Sequence, residues 1–139
     1  VPALRECLAY FAAARLSQVN YMPKGPIPQV EHYGIFAPEV LYPKDPNGGI
    51  NTPVLDTIGT HDLIYIAGQA KSHCVLETMK QLLAYFKKQP EIIKKLRFLM
   101  DCTSSVQHPQ VDFEAIAMAE LLKMEKQGVQ LVTTVDPIG

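Results

Sequence analysis

The stretch that decides the fold is residues 62–78, DLIYIAGQAKSHCVLET. Its first half is a short apolar run, which Gly68 and Gln69 break. Its second half opens a pattern at helical spacing, formed by Val75, Leu76, Met79, Leu82, Leu83 and Phe86. This order predicts a buried strand that runs into a tight turn and then into a helix over residues 73–88, with Cys74 at the helix start.

A cysteine in the first turn of a helix lies where thiols become reactive. Unpaired backbone N–H groups and the positive end of the helix dipole both favour a negatively charged sulfur there. The thiolate is the nucleophilic form of cysteine, so we expect Cys74 to be a nucleophile. Free cysteine is also a common buried packing residue, and position alone leaves that alternative open.

The composition is that of an ordinary globular chain. Its 139 residues suffice for a core, and we expect residues 1–139 to form a single domain. Thirteen basic and fourteen acidic residues give a formal net charge of −1, so no nucleic-acid partner is expected. The sequence has no apolar run of about eighteen residues, so no membrane span is expected either. Three cysteines without metal-binding spacing favour a reducing, cytoplasmic setting.

The rest of the chain alternates between helical and extended patterns. Helices are predicted over residues 3–17, 52–58, 73–88 and 110–127, and strands over residues 19–22, 62–67, 97–100 and 129–135. Residues 23–53 contain seven prolines and form a long irregular loop, whose aromatic side chains favour an ordered, functional role. Strands and helices in this order predict an α/β fold with a parallel sheet and helices packed on its faces.

Three groups of polar residues follow predicted strands and are expected to meet. They are Lys24, the turn from Gly68 to Cys74, and the segment from Asp101 to Ser105. Ligands of parallel sheets bind at the carboxyl ends of the strands. A lysine near a thiol stabilises the thiolate and can hold or move a proton, although most lysines are simply solvated.

Two segments resemble the isochorismatase-like cysteine hydrolases, and the nicotinamidases above all. Residues 64–78 are similar to the nucleophile segment of that family, and residues 24–40, KGPIPQVEHYGIFAPEV, are similar to its lysine segment. The order of the segments and their separation of about fifty residues also fit. A weaker similarity continues through residues 101–104 to the final strand, so that it covers most of the chain.

This resemblance implies a three-layer Rossmann-like fold and a hydrolase that converts nicotinamide into nicotinate and ammonia through a cysteine thioester. It implies that Cys74 is the nucleophile and Lys24 the lysine of the catalytic triad. It also implies a cis peptide bond before Ala70, with the N–H groups of Ala70 and Cys74 stabilising the oxyanion. Substrate-binding roles are expected for Tyr33, Phe36, Gln69 and His73.

The chain lacks two motifs of that family. No Asp-x-Gln motif supplies the aspartate that takes the thiol proton, and no Asp-x-His pair supplies ligands for the divalent metal, expected to be zinc. Glu31 matches a family glutamate near the metal, where an outer-sphere contact is expected. We therefore expect a C-terminal part of the family's domain, lacking its first strands, base and metal ligands and inactive alone. The complete hydrolase is expected to be a homo-oligomer.

Two alternatives stay open at this point. One is a hydrolase of the same fold that acts on another small amide or on an isochorismate-like enol ether. The other is a domain that retains the fold and binds a small molecule without catalysis, because losing a member of a catalytic triad slows the reaction by orders of magnitude.

Overall fold

A parallel three-stranded sheet organises the computed structural model, which describes residues 2–138. Its strands, in sheet order, are β1 (Ile64–Gln69), β2 (Leu96–Ser104) and β3 (Gln130–Val132). The helices are α1 (Pro2–Arg15), α2 (Thr52–Gly59), α3 (Leu76–Tyr85), α4 (Pro90–Ile93) and α5 (Phe113–Glu125). A π-helical turn, Lys71–Val75, joins β1 to α3. The predicted α/β class and parallel sheet are confirmed.

Local sequence signals account for the ends of two helices. The Asn51 side chain accepts a hydrogen bond from the N–H of Val54 at 3.4 Å, which caps α2 where the sequence predicts a helix start. The Asp112 carboxylate caps α5 in the same way, through the N–H of Ala115 at 2.9 Å. Gly128 follows α5 with φ of +114°, a conformation that glycine adopts without a steric penalty.

One face of the sheet is covered by helices. Leu96 and Phe98 point from β2 into the core, and both are 0% exposed. Helices α2, α3, α4 and α5 contribute to the same cluster with side chains that include Leu55, Met79, Ile93 and Leu121. Less exposed and more exposed residues alternate along β1 and along the first residues of β2, because successive side chains point to opposite faces.

The opposite face of the sheet is open. Tyr65, Leu99 and Val132 line a cavity of about 290 Å³ on this side, and Tyr65 is 42% exposed. Helix α1 does not form a second layer there, since none of its residues is buried. The helices described in residues 2–138 therefore form one layer against the sheet, whereas helices on both faces were expected.

The structure corrects several details of the predicted elements. The strand predicted over residues 19–22 is wrong: this segment is irregular, because no described strand lies beside it to pair with its backbone groups. Lys24 consequently does not follow a strand. Strand β2 is longer than predicted, β3 is shorter, and the short helix α4 was not predicted.

Two wider expectations concern the chain as a whole. None of the helices found between residues 2 and 138 is long and apolar enough to cross a membrane. The single domain over residues 1–139 and the cytoplasmic location stay predictions.

Candidate active site

Cys74 lies in the π-helical turn that directly follows β1. The turn is entered through Gly68, whose φ of +137° is accessible to glycine and strained for other residues. The Ala70 carbonyl accepts hydrogen bonds from the N–H groups of His73 and Val75, each at 3.1 Å. Cys74 lies between these two donor residues in the chain. The turn therefore places a half-buried thiol beside a backbone donor at the carboxyl end of a strand.

The peptide bond between Gln69 and Ala70 is cis, as the family resemblance implies. Beside it, the Gln69 side-chain oxygen accepts a hydrogen bond from the Ser104 hydroxyl at 2.9 Å. This bond joins the carboxyl ends of β1 and β2 next to the turn. The oxyanion role of the Ala70 and Cys74 N–H groups and the substrate-binding role of Gln69 stay predictions.

Lys24 contacts Cys74 across fifty residues of sequence. Its ammonium nitrogen, Nζ, lies 3.1 Å from the Sγ atom of Cys74 and donates a hydrogen bond to it. The same nitrogen lies 3.4 Å from the backbone oxygen of Tyr33. A positive charge at this distance favours the negatively charged form of sulfur, which is the nucleophilic form. The structure thus brings the two predicted catalytic residues together, although Lys24 lies on a loop.

Two polar side chains of α3 hold the loop that carries Lys24. The side chain of Gln81 accepts a hydrogen bond from the N–H of Phe36 and donates one to the carbonyl of Ala37, both at 3.0 Å. The hydroxyl of Thr78, one helical turn after Cys74, accepts a bond from the N–H of Ile35 at 3.3 Å. Sequence reasoning missed both residues. Both lie on α3, where Glu77 and Lys80 are polar as well, so polarity alone did not single them out.

The predicted substrate-binding residues of the loop lie in different surroundings. Tyr33 is 43% exposed, and the neighbouring Glu31 carboxylate raises the pKa of its hydroxyl through a hydrogen bond and through charge repulsion. Phe36 is only 5% exposed and packs in the core with Leu55. The substrate-binding roles of Tyr33 and Phe36 stay predictions, and the structure gives Phe36 a packing role as well.

The side chain of His73 contacts Ser72 and Phe113. Its Nδ1 atom lies 2.8 Å from the Ser72 hydroxyl, and its ring packs edge-on against Phe113, with 4.8 Å between ring centroids. The Ser72 hydroxyl also accepts a hydrogen bond from the N–H of Val106 at 3.1 Å. His73 therefore helps to fix the turn to the start of α5, and Ser72 fixes it to the segment before that helix. Contact of His73 with substrate stays a prediction.

Asp101 does not join the site, contrary to the expectation that residues 101–105 converge on it. Its carboxylate accepts hydrogen bonds from the N–H and hydroxyl of Thr134, at 3.0 and 2.5 Å, and these bonds hold its pKa below the ordinary range. Of that segment, Ser104 reaches the turn through Gln69. No carboxylate between residues 2 and 138 makes a hydrogen bond to the sulfur of Cys74.

The described residues do not fit a bound metal ion. Nowhere in residues 2–138 do three His, Cys, Asp or Glu side chains come together as a metal centre requires. Glu31 lies beside Tyr33 instead. The divalent metal, its expected zinc identity and an outer-sphere role for Glu31 stay predictions, and the chemistry considered below uses no metal.

Comparisons with protein-family models, with curated proteins and with solved structures found no match. The geometry of the chain therefore defines its class. That class is an α/β domain with a cysteine and a lysine in hydrogen-bond contact at the carboxyl end of a parallel strand.

Proposed function

We propose that this chain carries the nucleophile and the lysine of an isochorismatase-like cysteine hydrolase, similar to the nicotinamidases, which cleaves a small amide. The proposal includes the three-layer Rossmann-like arrangement for the complete domain. One observation carries it: the Nζ atom of Lys24 lies 3.1 Å from the Sγ atom of Cys74. The helical turn that carries Cys74 at the carboxyl end of β1 adds support from the same place in the fold.

The proposed reaction begins with attack of the Cys74 thiolate on the amide carbon. A carbon–sulfur bond forms, and the carbonyl electron pair moves to oxygen, where the N–H groups of Ala70 and Cys74 can donate to the developing charge. The carbon–nitrogen bond then breaks, and the nitrogen takes a proton, for which the Lys24 ammonium is the nearest donor to sulfur. Water then cleaves the thioester: its oxygen bonds to the acyl carbon, the carbon–sulfur bond breaks to release the acid and the thiolate, and the remaining proton returns to the neutral Lys24 amine.

Nicotinamide is the proposed substrate because the chain resembles the nicotinamidases and because an aromatic amide suits the surroundings of Cys74 and Lys24. Tyr33 lies beside Lys24 and leaves 43% of its surface accessible for contact with an aromatic ring. Gln69 and His73 lie on either side of the turn's first residues, where polar contacts to the substrate would be made. A homo-oligomeric hydrolase is part of the same proposal.

The first test separates attack by sulfur from the need for a base. A nitrophenyl ester of nicotinate has a leaving group that needs no added proton, so it can acylate a thiolate directly. We expect the nicotinoyl group on Cys74, located by mass spectrometry of the digested protein, to form faster than on the exposed Cys7 and Cys102. Equal acylation of the three cysteines would refute the nucleophile assignment.

The lysine is tested in the same assay. Lys24→Met removes the ammonium beside sulfur and should slow acylation of Cys74, while Lys24→Arg retains a positive charge and should slow it less. For the complete hydrolase, Cys74→Ala should abolish the release of ammonia from nicotinamide, whereas Cys102→Ala should leave it unchanged. Unchanged turnover in the Cys74→Ala variant would contradict the proposed mechanism.

A second candidate function is binding without catalysis. It is favoured by the observation that no described carboxylate makes a hydrogen bond to Cys74, which leaves the thiol without a base. Under this alternative, calorimetry would detect binding of nicotinamide, and the activated ester would not acylate Cys74 selectively. Turnover of another small amide or of isochorismate, in preference to nicotinamide, would support the alternative of a hydrolase of the same fold with a different substrate.

A further inference from the structure

Among the residues that the structure describes, Lys71 is the only charged residue that is buried, and 5% of its surface is exposed. Its ammonium forms an ion pair and hydrogen bond with the carboxylate of Glu114, whose side chain is 49% exposed. A buried ammonium is costly unless it is paired. The position of the Lys71 side chain is therefore tied to that of Glu114.

This ion pair is located at the start of the cysteine turn. Lys71 directly follows Ala70 and begins the π-helical turn that contains Cys74. Glu114 belongs to the first turn of α5, forty-three residues further along the chain. The pair thus connects the backbone that carries the candidate oxyanion donors to a separate helix.

Two further contacts connect the turn to α5 and to the segment that precedes it. The Ser72 hydroxyl accepts a hydrogen bond from the N–H of Val106 at 3.1 Å, and the His73 ring packs against Phe113. Residues 71–73 of the cysteine turn therefore contact α5 or the segment before it. Lys24, on the long loop, contacts the sulfur of the next residue, Cys74.

We propose that Lys71 and Glu114 are positioning residues for Cys74. By fixing the start of the turn, they keep the sulfur within reach of the Lys24 ammonium and aim the Ala70 and Cys74 N–H groups at one point. This inference rests on the proposed function, since it gives the ion pair a role in that same site. Apolar side chains of similar size often stabilise a fold as well as an ion pair of which one partner is buried, so we assign to the charges of Lys71 and Glu114 the role of orienting the turn.

The test compares acylation of Cys74 in Glu114→Gln and Lys71→Met with the wild-type chain, again using the nitrophenyl nicotinate ester. A displacement of about 1 Å at a reacting group can cost on the order of a hundredfold in rate. We expect the maximal rate of acylation to fall about tenfold to a hundredfold. The half-saturating ester concentration should not change, because neither residue contacts the ester.

Matched variants separate positioning from a general loss of stability. Glu120→Gln breaks the exposed pair of Lys123 and Glu120 on the same helix, which joins atoms 2.5 Å apart, and should leave acylation unchanged. Glu114→Asp keeps the charge and should recover part of the lost rate. The double variant Lys71→Met with Glu114→Gln removes both charges, so it should fold and still react slowly. Wild-type rates in that folded double variant would overturn the inference.

Alkylation by iodoacetamide distinguishes failure of the inference from failure of the proposed function. This reagent labels any accessible thiolate and requires no amide chemistry. Positioning predicts that Glu114→Gln changes the labelling of Cys74 relative to the exposed Cys7 and Cys102, even if the ester acylates none of them selectively. An unchanged labelling ratio overturns the positioning role, whatever the outcome with the ester.

Discussion

The two sides of the candidate site are built in different ways. The cysteine side, residues 68–75, runs from a strand into a helical turn whose backbone is held by the regular hydrogen bonds of the fold. The lysine side, residues 22–37, is irregular and is held against α3 by the side chains of Thr78 and Gln81. Backbone hydrogen bonds of the fold therefore set the position of the cysteine turn, and the ion pair of Lys71 and Glu114 adds to them. Side-chain hydrogen bonds from α3, together with the burial of Phe36, set the position of the lysine side.

This difference predicts unequal sensitivity to substitution. Burial of one large apolar side chain contributes several times the net free energy of one hydrogen bond. Damage to the core should unfold the cysteine side together with the rest of the sheet, whereas damage to the α3 anchors should release the lysine side alone. Three experiments test this contrast, beginning with the variant that should change stability most.

Met79→Ala should have the largest effect, because Met79 is 0% exposed and lies on α3 directly behind the cysteine turn. The substitution removes buried apolar contacts and leaves a cavity, and should lower the free energy of unfolding by about 2–5 kcal/mol. Urea unfolding followed by circular dichroism measures this change. The matched control is Leu4→Ala on α1, where Leu4 is 58% exposed, and its effect should stay within about 0.5 kcal/mol. Similar losses in the two variants would contradict the observed core.

Gln81→Ala should have an intermediate effect confined to the lysine side. It leaves the N–H of Phe36 and the carbonyl of Ala37 without their partners, which should cost about 1–3 kcal/mol. Limited proteolysis should then cut within residues 22–37 faster, while the helical circular dichroism signal is retained. Gln81→Glu keeps the acceptor for Phe36 and should be milder. A fully unfolded Gln81→Ala chain would show that the two sides are not separable.

Acidification should have the smallest effect and should act on the cysteine side through Glu114. Lys71, by hydrogen bonding, lowers the pKa of the Glu114 carboxyl in the folded chain. The ion pair therefore contributes stability above the ordinary pKa of glutamate, about 4.3. That contribution is lost as the pH falls through the lowered value.

Thermal unfolding between about pH 3 and pH 7 measures this contribution. The difference in unfolding temperature between the wild-type chain and Glu114→Gln should be largest near neutrality and should shrink toward acid. Added salt should reduce it only in part, because Lys71 is shielded from solvent. A difference that grows on acidification would have the wrong sign for this ion pair.

The regular half of the molecule was predictable from the sequence, because periodicity and turn residues report on local structure. The apolar run before Gly68 and the helical spacing after Cys74 predicted β1 and α3, with bounds shifted by a few residues. The Asn51 cap and Gly128 similarly marked the start of α2 and the end of α5.

Long-range partners were not predictable in the same way. The segment 19–22 has the composition of a strand, but a strand needs a neighbouring strand, and pattern alone does not show whether one is present. The pairing of Lys71 with Glu114 and the anchoring of the loop by Gln81 join residues more than forty apart. Lys24 was noticed because a strand was predicted before it and because its segment resembles the lysine segment of the family. The predicted strand was wrong, and an irregular loop gives no periodic signal of its own.

The open face of the sheet also determines how this chain should be monitored in solution. Tyr65, Leu99 and Val132 offer an apolar cleft in the folded state, so the native chain should bind the dye anilinonaphthalene sulfonate. Dye fluorescence is commonly taken as a sign of a partly folded state. For this protein a bright signal at neutral pH is the expected baseline, and a cooperative loss of the far-ultraviolet circular dichroism of its helices is the better indicator of unfolding.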